Sequence, residues 1–331
     1  MSAPVPDETI GVVGGGAWGT ALAQVAAGAG HRVRLWAREA EVVAGINHAR
    51  ENAAFLPGIA LSPLIEATQN WSALADARAI LVVTPAQHMR AVLGNLRDHT
   101  APLILCSKGI EAGTLLPLHE VARQAVPGAP IAVLSGPTFA HEVAAGLPTA
   151  VTLAAEDSGL AAELAALVAQ PTFRPYASTD VIGAEIGGAV KNVLAIACGV
   201  VDGAGLGQNA RAALIARGFA EMTRFGLARG ARAETLAGLS GLGDLVLTCS
   251  STSSRNFSLG RGIGQGTHAA DLLANRLTVA EGAHTAPVLR EAAARSGVDM
   301  PITEAVCDLL AGAPVAATID RLLARPLRAE A

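Results

Sequence analysis

A short apolar run, residues 9–13, stops at Gly14-Gly15-Gly16, and a run of small residues, 17–27, follows at once. Few features constrain a chain more. Gly14, Gly16 and Gly19 form G-x-G-x-x-G. In a strand–turn–helix the first glycine permits the tight turn. The second lets the backbone approach a pyrophosphate, and the third lets the helix pack close to the sheet. The helix N-terminus then offers N–H groups and a positive dipole end to phosphates. Taken alone, the pattern also fits a structural glycine turn. Here it follows one strand, opens a helix and precedes a second strand at residues 31–37, which is the context a dinucleotide site requires.

The same alternation continues. Strands are expected at residues 79–83, 102–106 and 131–134, with helical patterns at 88–96 and 115–125 between them. Strand, helix, strand at this spacing implies parallel strands with right-handed crossovers. Two further strands, near 150–154 and 172–175, flank a helix around 160–168 and extend the sheet. After about residue 179 the apolar residues recur at helical spacing, in segments 182–201, 209–227, 258–263, 286–296 and 303–310. The expected fold is therefore an α/β Rossmann-like N-terminal domain with a mostly parallel sheet, residues 1–180, plus an all-α C-terminal domain, residues 181–331. The glycines of residues 203–207 follow a helix, so they read as a bend and not as a second fingerprint.

The chain has 331 residues and a formal net charge of -4. No run of Lys and Arg stands out, which argues against a nucleic-acid partner. The first eight residues carry no signal-peptide pattern, and the apolar run 193–201 is too short to cross a bilayer. Both point to a cytoplasmic chain with no membrane insertion. The four cysteines are scattered and read as reduced thiols, and the eight His residues show no metal spacing.

Several side chains stand where chemistry is expected. Arg38 follows the second strand, where an NAD site usually offers an acid to the ribose 2′-OH. Arg there pairs with a 2′-phosphate and favours NADP(H) over NAD(H), although Glu39 comes next and an exposed helix-start Arg is the plain alternative. Trp18 either walls the pyrophosphate or packs on the second domain. Lys108 lies just past the C-terminal end of a strand, the edge where open α/β sheets bind ligands. Gly136 and Thr138 repeat that arrangement, with a simple strand-to-helix turn capped by Thr138 as the alternative. Lys191 sits with Asn192 on a long, otherwise apolar helix with small residues before it. Such a Lys must snorkel out or face a polar cavity. Asp244 is a lone acid between glycines in an apolar stretch, and its burial would demand a partner, for which Lys191 is the candidate. Ser254, Arg255 and Asn256 close a Ser-rich stretch at a helix start, where a guanidinium fork and the helix dipole suit a phosphate monoester. Glu281 is locally unremarkable.

Taken together and in order, these segments strongly resemble the bacterial NAD(P)-dependent glycerol-3-phosphate dehydrogenase family. The matching stretches are residues 14–22 (GGGAWGTAL), 107–111 (SKGIE), 135–140 (SGPTFA), 183–203 (GAEIGGAVKNVLAIACGVVDG), 241–250 (GLGDLVLTCS) and 254–256 (SRN). The resemblance implies reduction of dihydroxyacetone phosphate to sn-glycerol 3-phosphate with NAD(P)H, supplying phospholipid synthesis. It implies Lys191 as proton donor and acceptor. It places Lys108, Gly136, Thr138, Asp244, Ser254, Arg255 and Asn256 on the phosphorylated substrate. It places Ala17, Trp18, Arg38, Ala140, Val279 and Glu281 on the cofactor, beside Gly14, Gly16 and Gly19, with Lys108 and Arg255 touching both. Thr138 stands where many members have Ser, which keeps the hydroxyl. A β-hydroxyacid dehydrogenase shares the two-domain plan, but Arg255-Asn256 argues for a phosphorylated substrate. A non-catalytic NADP sensor would need no ordered proton donor. Glycine-lined helices in the second domain are compatible with a homodimer.

Overall fold

The computed structural model describes residues 8–274 and 280–326. Its residues group into two compact units, Met1–Glu185 and Ile186–Ala331.

The first unit is built on eight strands: β1 (Thr9–Val13), β2 (Arg32–Trp36), β3 (Ile65–Thr68), β4 (Ala79–Val82), β5 (Leu103–Leu105), β6 (Ile131–Ser135), β7 (Thr149–Ala155) and β8 (Phe173–Ser178). They form one sheet in the order β3-β2-β1-β4-β5-β6-β7-β8. Among the described residues, neighbouring strands pair in parallel except β6 with β7. The order reverses between β1 and β4, so the crevice beyond their carboxyl ends is the natural ligand position. Helices α1 (Ala17–Gly28), α2 (Ala40–Ala44), α3 (Met89–Leu93), α4 (Leu118–Ala125), α5 (Ala140–Ala144) and α6 (Ser158–Val168) connect the strands. Both faces of the sheet are covered. Ile10, Val12, Leu81 and Ile104 belong to one apolar cluster, and Val13, Ile80, Val82 and Leu105 to another. This explains why β4 reads AILV with all four residues buried, a continuous run with no alternation.

The second unit is helical: α7 (Val181–Gly203), which begins within the first unit, then α8 (Gly207–Ala228), α9 (Ala233–Leu236), α10 (Asp244–Cys249), α11 (Arg255–Gly264), α12 (Ala269–Leu273), α13 (Glu281–Arg295), α14 (Pro301–Leu310) and α15 (Val315–Leu323). The Asp180 carboxylate starts α7 by accepting the Gly183 N–H at 2.8 Å. Gly199 and Gly203 on α7 face Gly260 and Gly264 on α11, each pair one turn apart. A Cβ on Gly260 would fall 1.9 Å from the Ile196 oxygen, and one on Gly199 2.0 Å from the Phe257 oxygen. The two backbones approach so closely that only glycine fits.

The structure corrects several expectations. β3 and helices α9, α10, α12 and α15 are additional. β3 is four residues long and carries Glu66, so its pattern is too short to read. The 88–96 segment is two 3₁₀ turns around α3. Helix α4 begins at Leu118 and not at 115, because Pro117 pushes Leu116 away from helical angles. Helix α13 starts five residues earlier than 286 and accommodates Pro287. The run 193–201 is part of a helix of 23 residues, long and apolar enough to span a membrane, but 94% of its most apolar window is buried inside the protein. All four cysteines are buried and unbridged.

Glu221 on α8 is 2% exposed and accepts the backbone N–H groups of Ile302 at 2.8 Å and Thr303 at 3.4 Å, at the start of α14. Burial pushes its carboxyl from the ordinary 4.5 up to about 7, against the pull of those N–H groups. An acid whose folded pKa is raised contributes stability that is complete below its unfolded pKa and is lost as pH rises through the folded value. The Glu221→Gln variant keeps an acceptor but cannot ionise. Thermal melts at pH 5 and pH 8 should therefore show its Tm gaining on the wild type as pH rises; a constant difference would mean the carboxyl titrates normally.

Candidate functional site

In the first unit the three fingerprint glycines have separate structural reasons. Gly14 has φ +125° and donates its N–H to the Trp36 oxygen at 2.9 Å, closing the turn. A Cβ on Gly19 would lie 1.8 Å from the Gly14 oxygen, so α1 packs against the turn only with glycine there. A Cβ on Gly16 would meet nothing within 4 Å. Gly16 is also the N-cap of α1 and supplies no side-chain cap. A helix N-terminus beside open space fits a pyrophosphate, which takes hydrogen bonds from such N–H groups.

Ala17 and Trp18 open α1, and both pack, with Ala140 at the start of α5, against the apolar cluster on one face of the sheet. Trp18 thus leans on its own unit's core, and its Nε1 is buried without a hydrogen-bond partner among the described residues. Arg38 stands just past β2 with its side chain 84% exposed, and its guanidinium pairs with Glu39 at 2.7 Å. The Gln69 amide holds the Arg38 carbonyl at 2.7 Å.

At the carboxyl ends of β5 and β6, the Lys108 ammonium donates to the Gly136 oxygen at 3.2 Å, and the Thr138 hydroxyl donates to the same oxygen at 3.3 Å. Lys108, Gly136 and Thr138 therefore converge. Two details differ from the local reading of the sequence. Gly136 has φ +155°, and a Cβ there would sit 2.9 Å from Val151 Cα, so strand β7 already demands glycine. The N-cap of α5 is Phe139, not Thr138.

In the second unit, Lys191 projects from the middle of α7 yet is only 6% exposed. Its Nζ donates to Asp244 Oδ1 at 2.5 Å and to the Thr248 hydroxyl at 2.9 Å. Asp244 is 0% exposed. It lies one turn before Thr248 on α10, so both face α7 together, and the Thr248 hydroxyl is 3.3 Å from Asp244 Oδ1. The partner that burial of Asp244 demands is present. A close contact holds α10 in reach: a Cβ on Gly187 would fall 2.2 Å from the Ser240 oxygen, in the turn leading into α10. A hydrogen bond to Cys198, then burial, holds the nearby Cys249 thiol well above its usual range.

One residue beyond Lys191, Asn192 Oδ1 accepts the Asn256 amide at 3.0 Å, and Asn256 Oδ1 accepts the Gly282 N–H at 2.9 Å. This stitches α7 to the first turns of α11 and α13. The Ser254 hydroxyl is the N-cap of α11 and accepts the Phe257 N–H at 3.2 Å. Arg255, the first residue of α11, is exposed, and Glu281, the first of α13, is half-buried. Val279 lies outside the described residues. Two residues near these groups escape sequence reasoning. Thr248 has a signal only once Asp244 and the helical period of α10 are known. Asn52, whose amide reaches Gly15 and Thr20, is remote from the fingerprint in sequence and has none.

Residues 9–161 match the family model for the N-terminus of NAD-dependent glycerol-3-phosphate dehydrogenase, and residues 180–319 match that for its C-terminus. The glycerol-3-phosphate dehydrogenase (NAD(P)+) 1 of Sphingopyxis alaskensis is 64% identical over 98% of each chain. That of Caulobacter vibrioides is 59% identical over 98% of this chain and 99% of its own. The crystal structure of the Coxiella burnetii glycerol-3-phosphate dehydrogenase superposes with a TM-score of 0.92 at 37% identity, covering 96% of this chain and 99% of that one.

Removing one partner of a buried ion pair leaves the other charge uncompensated, at a cost of about 3–5 kcal/mol. The Asp244→Ala variant should therefore melt well below the wild type, whereas Asp244→Asn, which keeps an acceptor for Lys191, should lose less. Equal melting temperatures for wild type and Asp244→Ala would show that the pair carries no such energy.

Proposed function

This chain belongs to the NAD-dependent glycerol-3-phosphate dehydrogenase family, and on that footing we propose that it reduces dihydroxyacetone phosphate to sn-glycerol 3-phosphate with NAD(P)H, reversibly, using Lys191 as the acid and base. The observation that carries the reading is the Lys191 ammonium, buried on an apolar helix and held by Asp244 and Thr248. Pairing and hydrogen bonds only offset the cost of desolvating an ammonium, and apolar residues of similar volume would often serve stability as well, so a role in proton transfer is the better reason for a Lys here.

When bound at the fingerprint turn, a reduced dinucleotide would supply the hydride for the ketone carbon. Lys191 gives a proton to the carbonyl oxygen as negative charge develops there, and takes it back from the hydroxyl in the reverse direction. Asp244 and Thr248 fix Nζ, so the proton is delivered from one position. Arg255, with its forked guanidinium at the start of α11, receives the substrate phosphate, and Ser254 and Asn256 hold that helix start in shape. Binding the phosphate turns remote binding energy into alignment of the carbonyl. Lys108, Gly136 and Thr138 complete the substrate set. Gly14, Gly16, Gly19, Ala17, Trp18, Arg38, Ala140, Val279 and Glu281 form the cofactor set. NADP(H) is the favoured cofactor, because Arg38 is free of any burial that would prevent it from exchanging Glu39 for a 2′-phosphate. The product supplies phospholipid synthesis in the cytoplasm.

Initial rates with dihydroxyacetone phosphate and NADPH, then NADH, test the activity directly. Lys191→Ala should lose about 10²–10⁴ in kcat while still binding NADPH; an unchanged kcat would remove Lys191 from the chemistry. Arg255→Ala should chiefly raise KM for the phosphorylated ketone, and an unaltered KM places the phosphate elsewhere. In Arg38→Ala the KM for NADPH should rise and that for NADH should hold; parallel changes would refute the 2′-phosphate assignment.

A further inference from the structure

We infer that Asn52 is a positioning residue for the dinucleotide: its side-chain amide sets the Gly15–Gly16 peptide so that the Gly16 N–H is presented to the pyrophosphate. The inference rests on the reading that the fingerprint turn binds NAD(P)(H).

Asn52 is 1% exposed. Its Nδ2 donates one hydrogen to the Gly15 oxygen and the other to the Thr20 hydroxyl, both at 2.8 Å. Its Oδ1 accepts the Phe55 N–H at 3.3 Å. Both amide donors are used, and one reaches the backbone of the fingerprint turn itself. All peptide bonds among the described residues are trans. In a planar trans peptide the C=O and the following N–H point in opposite directions. Holding the Gly15 oxygen towards Asn52 therefore turns the Gly16 N–H away from it. Separately, a Cβ at Gly16 would meet nothing within 4 Å, so there is open space beside this turn for a ligand. The peptide is confined from a second direction, since a Cβ on Gly15 would lie 2.5 Å from the Ala37 Cβ.

A run of three glycines has more backbone freedom to lose on ordering than any other tripeptide. A turn already ordered in the free protein spares the ligand that cost, which appears as affinity. Only an amide suits the position. A carboxylate would oppose the Gly15 oxygen, and an apolar side chain would leave that oxygen and the Thr20 hydroxyl buried without this donor. The segment carrying Asn52 is itself braced. The Leu56 N–H donates to the Asn52 oxygen at 2.8 Å, and Arg50 donates to the Ile65 oxygen at 2.8 Å.

The test uses the full chain. NADPH is titrated directly, with energy transfer from tryptophan to the reduced nicotinamide as the signal, beside KM, kcat and cofactor-free melting. Asn52→Ala should raise the NADPH Kd and KM about tenfold and leave kcat within about twofold. Asn52→Asp, nearly the same size and still able to accept the Phe55 N–H, should weaken NADPH binding as well, so the test survives if the alanine variant folds poorly. Thr20→Ala removes the other amide contact without touching Gly15. It should lower Tm but leave the NADPH Kd within about twofold. A wild-type Kd in Asn52→Ala and Asn52→Asp overturns the inference, as does a Thr20→Ala variant that weakens NADPH as much as they do. A wild-type chain that does not bind NADPH overturns the dinucleotide reading and this inference together, an outcome distinct from both.

Discussion

The buried pair of Lys191 and Asp244 constrains the second unit more than any other contact. Neither charge is tolerable alone: the ammonium lies on a helix long and apolar enough to span a membrane, and the carboxylate has no solvent exposure. They meet at 2.5 Å because α10 is drawn against α7, and that approach is possible only where Gly187 leaves space for the Ser240 carbonyl. The glycine crossing of α7 with α11 brings the Ser254–Asn256 helix start alongside the same helix. Replacing a buried ion pair with apolar residues of similar volume is often neutral or stabilising. Stability alone is thus a weak reason to keep it, whereas a proton held at one position is a strong one.

The first unit follows a different rule. Its strands are buried on both faces and need no pattern beyond apolar continuity, so the sheet is generic. What individualises it is the carboxyl edge, where strand ends expose backbone. There the positions are set by polar contacts to main-chain oxygens: Asn52 on Gly15, Lys108 and Thr138 on Gly136, Gln69 on Arg38. Side chains that hold a carbonyl determine where the adjoining N–H points.

Legibility varied with the range of the interaction behind each feature. Strand β1, the fingerprint and α1 are read from one continuous stretch because every glycine there has a local reason. The pairing of Asp244 with Lys191 was inferable from energetics, since a lone buried acid must find a cation. Strand β3 was not legible, because four residues with a Glu among them carry too little pattern. Helix α10 was hidden by the glycines before it, which read as loop. The crowding of Gly136 by Val151 left no trace in the sequence, because strand β7, antiparallel to β6, meets it only in the folded sheet.

Local period, turn geometry and side-chain type were enough to read the fold class, the fingerprint turn, the helical character of the second half and the candidates for acid–base and phosphate chemistry. The partners in the folded chain were not readable in that way: Thr248 on Lys191, Asn256 on Asn192 and Gly282, Asn52 on Gly15. Such contacts join segments 26 to 64 residues apart. Chain separation of that order leaves no periodic trace, because a hydrogen bond depends on where two atoms arrive and not on how far along the chain they started.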